Sequence, residues 1–175
     1  MNNMQKVLIQ ASFQRVLPIA DVAAELFYGR LFELDPTLRP MFRGDMASQG
    51  KKLMNALRLI VNGLDRLDQL VPALEALARR HVKYGVTDEH YETVGAALIW
   101  TLQQGLGDSF TPSVAAAWVK AYGLIAGVMR AASAQPVVAA PPSLRAPVSR
   151  TSPLSQRIPS TRRVPHAPMS QPAPF

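Results

Sequence analysis

The chain has 175 residues, 48% of them apolar, enough for one good core and little more. It has no cysteine, which excludes disulfides, thiolate metal sites and cysteine nucleophiles. Its net charge of +7 is uneven: residues 1–135 hold 14 Lys/Arg against 12 Asp/Glu, whereas residues 136–175 hold five Arg and no acid. The basic balance therefore belongs to the C-terminal stretch and marks no nucleic-acid-binding face on the rest.

The opening MNNMQKVLIQASFQ carries one lysine and its apolar run stops at Gln10, a poor pattern for a secretory leader. No window approaches ~18 uninterrupted apolar residues, so no membrane span is expected and a cytoplasmic setting is the default. Strand signals are nearly absent, and apolar positions recur at helical spacing. A first helix over 4–17 would turn Ile9, Phe13, Val16 and Leu17 inward. Pro18 interrupts it, and Asp21 can cap a second helix to Leu34 with Val22, Leu26, Phe27 and Leu31 inward. Two prolines and a Gly-Asp make 33–45 a turn-rich corner.

Ser48 can cap a third helix presenting Leu53, Met54, Leu57, Ile60, Val61 and Leu64. A fourth runs over 69–83 with Leu70, Leu74, Leu77 and Ala78 in register, and Gly85 ends it where a left-handed residue is needed. Asp88 caps a fifth to Leu106, and Thr111-Pro112 opens a last one to about Ala132. Gly123 and Gly127 are spaced to let a neighbouring helix pack closely. Six to seven helices over residues 1–134 make an all-α domain. Residues 135–175 hold ten of the 15 prolines and read as a disordered or polyproline tail.

His81 shares the apolar face of Leu74, Leu77 and Ala78. A histidine there is either a hydrogen-bonded core residue or a metal ligand. The chain has no HExxH, and His90 falls in a charged helix start, so a metal would have to bring most of its own ligands. Haem does so, because the porphyrin supplies four nitrogens and the protein one imidazole. The sequence contains no GxSxG, no phosphate-binding GxxxxGK[ST] and no GxGxxG, and Glu89 and Glu92 read as a solvated helix face.

Five stretches together resemble the globins, in particular bacterial single-domain globins similar to the globin module of flavohaemoglobins. AELFYGRLFELDPTLRPMF (24–42) is similar to the second helix and its corner, and GDMASQGKKLMNAL (44–57) to the distal helix. LEALARRHVKYGV (74–86) is similar to the proximal helix, while DEHYETVGAALIWTL (88–102) and FTPSVAAAWVKAYG (110–123) resemble the last two long helices. The resemblance implies a globin fold holding haem b (iron protoporphyrin IX), with His81 as the proximal ligand of a penta-coordinate iron. It implies that Phe42, Leu53, Leu77 and Tyr91 contact the haem. Tyr28 and Gln49 would be distal hydrogen-bond donors, catalytic if the activity is NO dioxygenation. Gln49 lies 32 positions before His81, a spacing that Lys52 would break. Arg80 and Lys83 would face the propionates.

The implied function is reversible binding of dioxygen, NO and CO, with NO detoxification by dioxygenation and an external reductase supplying electrons. The alternatives are oxygen transport or storage, sensing or electron transfer, and a haem-free helical module whose Arg/Pro tail binds an acidic partner. The family's flavohaemoglobins are similar in placing a buried carboxylate behind the proximal histidine. The corresponding site here is about Ser133–Gln135, and no acid follows Asp108.

Overall fold

The computed structural model describes residues 1–42 and 44–134, and the expectation of a disordered tail falls outside them. Six α-helices follow in order: α1 Asn3–Val16, α2 Ala20–Leu34, α3 Met46–Gly63, α4 Leu67–Lys83, α5 Asp88–Leu106 and α6 Pro112–Ala134. Among the described residues there is no strand, and the architecture is the all-α bundle that the helical spacing implies.

Helix starts depart from the expected caps for local reasons. Asn2 caps α1, accepting the Gln5 N–H at 2.8 Å while the Gln5 side chain accepts the Asn2 N–H at 3.1 Å. Pro18 does not open a loop; Leu17–Ile19 form one 3₁₀ turn, near whose start a missing N–H does little harm. α2 consequently begins at Ala20, and Asp21 sits in its first turn instead of capping it. Val22 is 54% exposed, contrary to expectation. The buried stripe of α2 is Ala23, Ala24, Phe27, Tyr28 and Leu31, and Val22 lies on the opposite face of that turn. Asp45, not Ser48, caps α3, its carboxylate accepting the Ser48 N–H at 2.9 Å. A charge at a helix N-terminus outdoes a hydroxyl three residues on. Thr87, not Asp88, precedes α5 and forms a capping box with His90, whose Nδ1 accepts the Thr87 N–H at 3.0 Å. Gly85 takes the expected left-handed conformation, with φ 79°.

α2 packs on α3 and α5, α4 packs on α6, and α1 packs on α6. The apolar interior is split in two. One cluster joins α1, α2, α3, α5 and α6 around Phe13, Phe27, Leu31 and Trp118. The other joins α4, α5 and α6 around Leu70, Leu74, Ala78, Tyr91 and Met129. Gly123 and Gly127 support no close helix contact: both are exposed, with nothing within 4 Å of an added Cβ. The stretches Asn3–Leu34 and Pro112–Ala134 are, by length and composition, apolar enough to cross a membrane. Expecting none relied on uninterrupted runs. Both stretches contribute buried side chains to the bundle interior, among them Phe13, Phe27 and Trp118.

Two glycines test the packing. A Cβ on Gly50 would stand 2.8 Å from the Ala24 Cβ, where α3 crosses α2, whereas one on Gly29 would meet nothing within 4 Å. Gly50→Ala should cost roughly 1–3 kcal/mol by overpacking, and Gly29→Ala should gain roughly 0.5–1 kcal/mol of helix propensity. Urea unfolding of the two variants, compared with the parent, checks both signs.

Candidate functional site

α4 buries Leu70, Leu74, Ala78 and His81 on one stripe, so the imidazole follows the aliphatic residues into the interior and is 5% exposed. Its Nδ1 lies 2.9 Å from the Leu77 carbonyl oxygen. A carbonyl can only accept, so Nδ1 carries the proton and Nε2 the lone pair. Burial holds the imidazole below its ordinary pKa; the Leu77 bond opposes that shift, and the positive charge of Arg80 adds to it.

His81 stands on the wall of a partly open slot lined by residues of all six helices. The slot passes between the two apolar clusters, with Leu53 and Leu98 from one and Ala126 and Met129 from the other. Leu77, Phe42 and Tyr91 also line it. The Tyr91 ring stacks beside His81, centroids 6.3 Å apart and 18° from parallel. Phe42 meets Tyr28 and Phe32 edge to face at 5.3 and 5.5 Å. Tyr91 is itself held from α6: the Tyr122 hydroxyl donates to its carbonyl, and Gly95 leaves room for the Tyr122 ring, which a Cβ there would meet at 2.6 Å.

Tyr28 and Gln49 are brought together, but they do not line the slot. The Tyr28 hydroxyl donates to the Gln49 backbone carbonyl at 3.3 Å, and burial raises its pKa far enough to keep it a protonated donor. The Gln49 side chain is 1% exposed, and its Oε1 has no hydrogen-bond partner among the described residues. A buried amide left this way is costly unless a further polar group joins it. Arg80 and Lys83 are exposed and lie outside the lining.

His90 is the residue that the sequence reading passed over: half-buried, it lines the slot on the same side as Val86 and Tyr91. Its signal was its place directly before Tyr91 in the first turn of α5, where a charged cap seemed the simpler account. Among the described residues no three His, Asp or Glu side chains converge as a metal site. A metal bound here would bring most of its own ligands.

The Globin family model matches residues 25–129. A flavohemoprotein of Bacillus subtilis is 35% identical over 105 residues, 57% of this chain and 26% of the relative. A flavohemoprotein of Rhodopirellula baltica is 32% identical over 112 residues, 62% of this chain and 28% of the relative. The chain thus spans about a quarter of the length of these relatives. Among solved structures, an engineered carbene transferase made from a candidate nitric oxide dioxygenase of Rhodothermus marinus superposes with a TM-score of 0.69 at 25% identity, covering 77% of this chain and 94% of that one. The family match takes in more than half of the chain and every residue of the site from Tyr28 to Tyr91, and the chain belongs to the globin family.

Proposed function

We propose that the slot holds haem b with His81 as its one protein ligand, and that the chain binds dioxygen, NO and CO in the cytoplasm. We further propose NO dioxygenation as its activity, driven by an external reductase. The observation that carries this reading is His81: a neutral imidazole, buried on an apolar wall, with its Nδ1 proton committed to Leu77 and its lone pair on Nε2. Two features of the slot suit a porphyrin. Its lining is apolar apart from a few polar tips, and it divides the core as a flat group would.

When bound, haem supplies a ferrous iron with an open position for a diatomic ligand and a one-electron couple. The chain supplies the rest. Leu77 fixes the tautomer and orientation of His81. Phe42, Leu53 and Leu77 exclude water. The Tyr28 hydroxyl and the Gln49 amide, now outside the lining, are the donors that the resemblance assigns to a polar ligand, each contributing on the order of 1–3 kcal/mol in a dry pocket. To serve, the Tyr28 hydroxyl must exchange its bond to the Gln49 carbonyl for one to the ligand. Conversion of NO and dioxygen to nitrate consumes one electron per turnover, and the reductase supplies it.

Protein loaded with haem should show a strong Soret band that shifts with CO on reduction, and His81→Ala should lose it. Absorption spectra of both proteins check this, and haem retained equally without His81 would sink the assignment. Tyr28→Phe should speed dioxygen release about tenfold or more in stopped-flow measurements. Multiple turnovers with NO and a reductase support the dioxygenase reading, whereas dioxygen binding without turnover leaves a storage or electron-transfer globin.

The depressed pKa of His81 also has a sign. The folded chain binds fewer protons than the unfolded one between the two pKa values, so the stability due to neutral His81 is present above about 6.5 and is lost as pH falls toward the folded value. Urea unfolding of the haem-free chain should show that loss on going from about pH 7.5 to about pH 5.5. His81→Leu should flatten it.

A further inference from the structure

The buried groups packed around His81 on its α5 and α6 side carry no negative charge, and the two carboxylates of that side, Asp88 and Glu92, are exposed. The partner of Nδ1 is a neutral carbonyl. Burial raises the pKa of the Tyr91 and Tyr122 hydroxyls, so both remain uncharged phenols. The Arg130 guanidinium lies 5.5 Å over the Tyr91 ring, and Tyr91 in turn stacks beside His81. Arg130 is held there by the Asp88 carbonyl at 3.0 Å, with its Nε buried and unpartnered among the described residues. Glu92 stands 3.7 Å from it and is 82% exposed, and the Asp88 carboxylate, whose charge also reaches Tyr91, is exposed too, so water screens both. Ser133, where the resemblance puts a carboxylate, donates its hydroxyl to the Met129 carbonyl at 2.9 Å.

We propose that Arg130, carried against Tyr91 behind His81, is a positioning residue whose positive charge favours the reduced state of the bound haem. A positive charge close by opposes the extra charge of the ferric state, and an imidazole bonded to a neutral carbonyl donates less electron density than one bonded to a carboxylate. The device suits a protein that takes each electron from a separate reductase, because it eases reduction of the resting iron. The inference rests on the proposed ligation of haem by His81.

The test is a spectroelectrochemical titration of the haem-loaded full chain and its variants. Arg130→Met should lower the equilibrium constant for one-electron reduction about threefold to tenfold, tenfold corresponding to a downward midpoint shift of about 59 mV. Arg130→Lys should stay within about twofold of the parent. Glu92→Gln, at an exposed position where folding is not at risk, should move the midpoint upward. Arg130→Met that keeps its haem and its midpoint would overturn the inference alone, as would an unmoved midpoint in Glu92→Gln should Arg130→Met fail to fold. A parent chain that holds no haem through His81 would take down this inference and the proposed function together.

Discussion

The structure depends on a slot that keeps two apolar clusters apart. An apolar slot through a single small domain forfeits dispersion contacts along its walls. The helices that line it are packed on one another, α2 on α5 and α3, and α4 on α6. A flat, mostly apolar group between the clusters would restore the lost contacts. A group bound there only in the folded chain would add its binding free energy to the stability of the fold.

The two ends of the candidate site differ in chemistry. At one, the Tyr28 hydroxyl and the Gln49 amide are buried outside the slot lining, the Gln49 Oε1 without a partner among the described residues, and Tyr28 meets Phe42, which does line the slot. The other has His81, locked by Leu77 and backed by Tyr91, Tyr122 and Arg130. The unpartnered Oε1 on the first side calls for a hydrogen-bond donor. Firm bonding on the second holds one imidazole in one tautomer. That division of labour is what a site needs if a ligand is to come and go while its anchor stays fixed.

Glycines set how closely the helices that carry these walls can meet. Gly50 lets α3 cross against Ala24 next to Gln49, and Gly95 admits the Tyr122 ring beside Tyr91. Gly123 and Gly127, whose spacing looked equally purposeful, face open space. Spacing along a helix tells which residues share a face; it does not tell whether another helix lies on that face.

Much of the molecule was legible in the chain itself. The helical period of Leu70, Leu74, Ala78 and His81, the stop at Gly85 and the Thr111-Pro112 start are local properties, and they place His81 in the interior before any neighbour is known. The caps at Asp45 and Thr87 were missed because several capping residues stood in a row, and only backbone geometry chooses among them. The contents of the site are a tertiary matter. Tyr28, Gln49 and Phe42 come together through the corner between α2 and α3, His90 reaches the slot by the turn that its own Nδ1 helps to close, and Arg130 arrives behind Tyr91 from the far end of α6. Periodicity acts over a few residues and so determined the helices and the buried face of His81. Which side chains surround that histidine depended on how separate helices cross, which only the folded chain decides.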